Sequence, residues 1–196
     1  YEPDYTSHKD EKFPLVVILH GGPGRAYAGK YLTNSDNLSR YPSFIFVPML
    51  PTRSLWAYPK FMLGVKMELP YVVSAIKELK TQFPIDERRI YVVGCSNGGY
   101  GVFGASLDYD DIFAGGIAMS AHWNEGDANK MTTMPMMITA GAYDTVIDTE
   151  LTRNMFSALD LVGAPIKYKE YDFGHNCPSK RLYEDEMWKW LFAQKL

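Results

Sequence analysis

Five residues near the middle of the chain, Gly94-Cys95-Ser96-Asn97-Gly98, constrain its fold more than any other stretch. They follow Arg89-Ile90-Tyr91-Val92-Val93, a short β-branched run that reads as a strand, and they precede residues 97–107, whose many small side chains suit a helix packed closely on a sheet. A serine between two glycines at a strand-to-helix junction is the context of a nucleophile elbow. In so tight a turn, side chains at Gly94 and Gly98 would clash, and the helix that begins there directs its N-terminal dipole at developing negative charge. The competing reading is a tight turn with an incidental serine.

The rest of the chain supplies the sheet that such an elbow needs. Residues 1–12 are polar and read as an extended arm, followed by a single domain over 13–196. Pro14-Leu15-Val16-Val17-Ile18-Leu19 and Phe44-Ile45-Phe46-Val47-Pro48 read as buried strands, as do Phe113 to Ser120, Met136 to Ala140 and Ile166 to Tyr171. From Lys66 to Gln82, apolar Leu69, Val72, Val73, Ile76 and Leu79 recur at helical spacing, and Pro84 marks the stop. Glu150 to Leu161 and Arg181 to Lys195 read as two further helices. Strands alternating with helices predict an α/β fold, a doubly wound and mostly parallel sheet covered on both faces. Ligands in such sheets bind beyond the carboxyl ends of the strands.

A serine hydroxyl becomes a nucleophile only when a base takes its proton. His8 lies in the polar arm, and His20 precedes the loop Gly21-Gly22-Pro23-Gly24, where it reads as a brace for the backbone. His122 follows a strand and stays open as an alternative. His175, in Phe173-Gly174-His175 after the last strand, fits the order serine, acid, histidine. The acid is expected between them, and Asp144 follows the strand that begins at Met136. Asp148 competes but sits nearer the next helix, as its cap or first-turn acid. The oxyanion of a tetrahedral intermediate needs two donors, assigned here to the backbone N–H groups of Asn97 and Gly22. Pro23 has no N–H to offer.

Composition narrows the partners. The 196 residues carry 20 basic and 23 acidic side chains, a formal charge of -3, with no basic run, which argues against nucleic acid or an anionic membrane. No apolar stretch approaches the ~18 residues needed to cross a bilayer. No carboxylate or histidine cluster has metal-ligand spacing, and two cysteines make no zinc motif, so neither metal nor cofactor is expected. Oligomeric state is not readable.

With these motifs in place, the chain resembles the α/β-hydrolase esterases that include feruloyl esterases, acetylxylan esterases and polyhydroxybutyrate depolymerases. The resemblance is carried by Pro14 to Gly22, Ile85 to Gly99, Phe113-Ala114-Gly115, Gly141 to Val146 and Gly174-His175. It implies a serine carboxylic-ester hydrolase with Ser96, Asp144 and His175 in the catalytic roles. It also implies strands before the one ending at the HGG loop, where only residues 1–12 stand here, so the sheet is expected to be reduced or cut short. Cys95 beside the nucleophile and Cys177 near the histidine are similar to a disulfide of fungal feruloyl esterases and tannases, although Asn176 intervenes here. By that likeness the two are bonded and the protein is exported, to the medium or a periplasm. Without it they read as two buried thiols.

Residues 123–134 leave little room for a lid after the strand ending near Ser120. An open site favours carbohydrate-linked or aromatic esters, feruloyl or acetyl, over long-chain lipids. Trp56, Tyr58, Trp123 and Tyr143 are the candidates for stacking on a sugar or phenolic ring. Two alternatives stand beside this expectation: a peptidase like the prolyl oligopeptidase catalytic domain, and a catalytically silent binding protein on the same fold.

Overall fold

The computed structural model describes residues 1–5, 11–22, 27–51, 53–58, 66–177 and 184–196. His8, Pro23, Gly24 and the beginning of the helix expected from Arg181 lie outside the described residues.

The apolar runs become strands of one sheet. β1 (Phe13–Leu19), β2 (Phe44–Phe46), β5 (Ile85–Cys95), β6 (Gly115–Met119), β7 (Met136–Gly141) and β8 (Ile166–Tyr171) are parallel, in the spatial order β2-β1-β5-β6-β7-β8. Alternation along β1 explains the burial on both faces. Leu15, Val17 and Leu19 join a core with the helices α3 (Leu69–Gln82), α4 (Asn97–Asp108) and α5 (Thr149–Leu161). Val16 and Ile18 face the opposite core, with α1 (Tyr27–Leu32) and α6 (Asp185–Phe192). Val16, Val17, Val92, Val93 and Ile117 are completely removed from solvent. This is the α/β-hydrolase architecture.

The chain leaves β1 for β2 on one side and returns to β5 on the other, so the winding reverses between β1 and β5. A crevice opens at such a switch point, beyond the carboxyl ends of the two strands. His20 and Ser96 are the first residues past those ends.

Several elements depart from the sequence expectations for identifiable reasons. The helix expected from Lys66 begins at Leu69, because Pro70 occupies its first turn, where a missing N–H costs nothing. Lys66 and Met67 instead form β4 (Lys66–Met67), paired with β3 (Ser54–Leu55) in a separate two-stranded sheet. β6 stops at Met119 because Ser120 adopts a left-handed φ of 47°. α1 and α2 (Ser35–Arg40) are six-residue helices, too short to show periodicity, and Asn34 caps the second by accepting the N–H of Asn37. Within residues 123–134 lies one turn-rich 3-10 segment, Glu125–Lys130. The arm is not free over its first residues. Tyr1 and Ile45 exchange two backbone hydrogen bonds at 3.0 Å, and the Tyr5 ring packs 5.5 Å from that of Phe44.

Candidate active site

Ser96 sits between β5 and α4 at φ 58° and ψ -120°, a conformation that non-glycine residues rarely adopt. Its N–H donates to the carbonyl of Met119 at 2.8 Å, which fixes the turn to the end of β6. The neighbouring glycines are required by contact. A Cβ on Gly94 would lie 2.1 Å from the Gly98 carbonyl oxygen, and one on Gly98 would lie 1.9 Å from that of Leu19. Strand, elbow and helix therefore approach more closely than any side chain allows. The Asn97 N–H opens the first turn of α4, where backbone donors have no helical partner.

The glycine loop after β1 lies directly on this turn. A Cβ on Gly21 would come within 2.9 Å of the Cys95 carbonyl oxygen and 3.3 Å of Ser96 Cβ, whereas one on Gly22 would meet nothing within 4 Å. Gly21 thus makes the close approach and Gly22 borders open space. His20, buried, braces the loop. Its Nε2 accepts the N–H of Leu50 at 3.0 Å, which leaves the ring proton on Nδ1 to donate to the Gly21 carbonyl at 2.8 Å.

Asp144 and His175 meet at the far side of the crevice. Nδ1 of His175 donates to Oδ2 of Asp144 at 2.7 Å, and this carboxylate's other oxygen accepts the N–H groups of Val146 and Ile147, each at 2.9 Å. The Asp144 side chain is only 2% exposed, so its charge is held by three directed donors rather than by water. With the proton on Nδ1, His175 presents Nε2 as a base. The two loops are laced together, since Tyr143 N–H donates to Phe173 O at 3.0 Å and Ala142 N–H to Tyr171 O at 2.8 Å. Asp148 instead caps α5, accepting the N–H of Glu150 at 3.0 Å.

A disulfide joins Cys95 to Cys177, 82 positions apart in sequence, with 5.8 Å between their Cα atoms. It ties the residue before Ser96 to the loop that carries His175, across the ends of the two intervening strands. In the chain-entropy view, closing a loop of this length restricts the unfolded chain by on the order of 4 kcal/mol.

The four aromatic candidates separate. Trp56 is 1% exposed and is no stacking platform; its Nε1 donates to the His20 carbonyl at 2.8 Å, so it supports the glycine loop from beneath. Trp123, 5% exposed, is also core, stacked on Phe103 at 6.3 Å. Both corrections have one physical cause: a large ring after a strand is worth more filling the space under α4 than standing in water. Tyr58 is half-buried against Tyr100 at 4.6 Å, and Tyr143 is exposed on the lip. Sequence reading missed Tyr100, in the first turn of α4, whose only signal was its spacing of four residues from Ser96. Burial, and then the neighbouring Tyr58, push its phenol well above the ordinary range, with the charge of Asp144 adding to the effect.

Residues 66–124, from β4 to the loop after β6, match the model of the prolyl oligopeptidase family. Among solved structures, the chain is similar to a thermostable esterase with 24% identity and a TM-score of 0.86, over 95% of this chain and 56% of that one. It is similar to a ferulic acid esterase at 17% identity and TM-score 0.71, over 97% of this chain and 90% of that one. It is also similar to the fluorophosphonate-binding serine hydrolase F of Staphylococcus aureus, at 16% identity and TM-score 0.67, over 97% and 88%. The chain therefore spans little more than half the length of the thermostable esterase. These likenesses establish the α/β-hydrolase fold.

Proposed function

We propose that the protein is a serine hydrolase of carboxylic esters that works through an acyl-enzyme. The observation that carries this reading is the 2.7 Å contact from Nδ1 of His175 to a buried, fully bonded Asp144, on a loop bonded to the residue before Ser96. In the mechanism, Nε2 of His175 takes the Ser96 proton as Oγ attacks the ester carbonyl. The resulting imidazolium is stabilised by Asp144, and the oxyanion by the N–H groups of Asn97 and Gly22. The imidazolium then protonates the leaving alcohol, and water repeats the sequence on the acyl-enzyme. No step needs a metal or a cofactor.

The substrates proposed are carbohydrate-linked or aromatic esters, feruloyl or acetyl. The short segment after β6 supports this, because among the described residues it adds no lid that would exclude bulky alcohols. A likeness to structures described as esterases, one a ferulic acid esterase, points the same way. A peptidase reading has one observation in its favour, the match of residues 66–124 to the prolyl oligopeptidase family. Two experiments decide. A fluorophosphonate probe should label the wild type and not Ser96→Ala; an unlabelled wild type would favour a silent binding protein. A panel of p-nitrophenyl acetate, methyl ferulate, acetylated xylan and a peptide anilide should show turnover of esters, and turnover of the anilide alone would select the peptidase.

A further inference from the structure

The carbonyl of Gly141, the last residue of β7, is a junction that the proposed chemistry does not use directly. It accepts the N–H of Asp144 at 3.1 Å and the side-chain hydroxyl of Thr149, the first residue of α5, at 2.6 Å. One oxygen atom therefore holds both the backbone of the acid and the far end of the loop that carries it. Thr149 is buried, which keeps this bond away from solvent. Gly141 also faces the neighbouring loop, since a Cβ there would stand 2.4 Å from the carbonyl oxygens of both Phe173 and Gly174. The acid loop, α5 and the segment leading to His175 converge on this one residue.

The aim of the Asp144 carboxylate depends on that junction. Its Oδ1 is held by the N–H groups of Val146 and Ile147, each at 2.9 Å, and both donors lie between Asp144 and Thr149. Where they stand is set by where the loop ends. Ile147 rests on the core, but the Val146 side chain is 66% exposed and supplies little packing to fix its backbone. Without the hydroxyl bond the exit of the loop is free to shift, and the carboxylate follows its donors. A displacement of this kind, on the order of 1 Å at a catalytic group, is enough to slow a reaction severely.

We infer that Thr149 is a positioning residue for the acid: its hydroxyl clasps loop 141–149 shut, so that Oδ2 of Asp144 stays against Nδ1 of His175. The inference rests on the ester-hydrolase reading and adds to it a residue that acts through Asp144 rather than on the substrate. Thr152, one turn further along α5, supplies the contrast. It is 1% exposed, and its hydroxyl donates to the Ala121 carbonyl at 3.2 Å. That bond also ties α5 to the end of a neighbouring strand, yet it lies outside the acid loop.

Thr149→Val matches the shape of the side chain and removes the hydroxyl. It should lower kcat on p-nitrophenyl acetate roughly 10- to 100-fold with KM within about twofold, because one misaligned base slows acylation and deacylation alike. Thr149→Ser restores the hydroxyl and should return kcat to near wild type. Thr152→Val should lower the urea midpoint about as far as Thr149→Val while keeping kcat. A second readout does not need turnover. The Nδ1 proton of His175, bonded to a carboxylate, gives a far-downfield proton resonance, identified by its loss in His175→Ala. It should persist in Thr149→Ser and Thr152→Val and disappear in Thr149→Val. An unchanged kcat or an unchanged resonance in Thr149→Val would overturn the inference, as would an equal loss in Thr152→Val or no rescue by serine. If the wild type turns over no ester, the ester-hydrolase reading fails by itself, while the resonance still decides whether Thr149 holds the acid in place.

Discussion

At the residue scale, the proposed chemistry predicts strongly non-additive losses. Ser96→Ala or His175→Ala should each lower ester turnover roughly 10⁴-fold or more, and the double variant should be little worse than either, because the two act as one unit. Initial rates on p-nitrophenyl acetate measure this, and full additivity would argue against a shared proton. Asp144→Asn removes the charge that holds His175 and should cost less than loss of the serine yet well over tenfold. Asp148→Asn keeps a capping side chain on α5 and should leave turnover near wild type. The opposite ranking would reassign the acid. That Asp144 and His175 would stand together was legible because strand ends and chain order pointed to both. What sets Asp148 apart from Asp144 is its place as a helix cap, a distinction that lives in backbone geometry and not in residue type.

At the scale of elements, what matters is how closely β1, β5 and α4 approach. Gly98→Ala puts a methyl 1.9 Å from the Leu19 carbonyl oxygen, with only backbone there to give way. It should destabilise the fold by about 3 kcal/mol or more, read from urea midpoints. Trp56→Phe keeps an aromatic ring but removes the bond to the His20 carbonyl and leaves part of the buried indole's space empty. It should lose about 2 kcal/mol of stability and reduce turnover through kcat more than KM, since the glycine loop it supports is proposed to hold the oxyanion. Strand and helix identities were readable from apolar periodicity. Trp56 and Trp123 were not, because an aromatic in a loop looks the same in sequence whether it faces a substrate or plugs the space beneath a helix.

For the whole molecule, six parallel strands place every proposed group at one edge, an outcome that strand order in the sequence already suggested. The short paired strands β3 and β4 and the helices α1 and α2 were illegible, since each is held by tertiary contact rather than local pattern. Acid stability follows from the same architecture. The Asp86 carboxyl is raised by partial burial but lowered more by hydrogen bonds from Arg89 and the Arg88 N–H and by the Arg89 charge, so it lies below its ordinary 3.8. Its contribution is complete above pH 3.8 and is lost as pH falls through the folded value. Asp86→Asn should therefore lower Tm at neutral pH and converge with the wild type in strong acid.

The bond between Cys95 and Cys177 also decides what a protease can accomplish. The turn at Leu161 and Gly163, where Leu161 is 88% exposed and Gly163 has a φ of 73°, falls inside the span it closes. A nick there would sever the polypeptide without parting the pieces, giving one band on a non-reducing gel and two once thiol is added. A split form of this protein would thus keep its serine and histidine segments on one molecule for as long as that bridge stays oxidised.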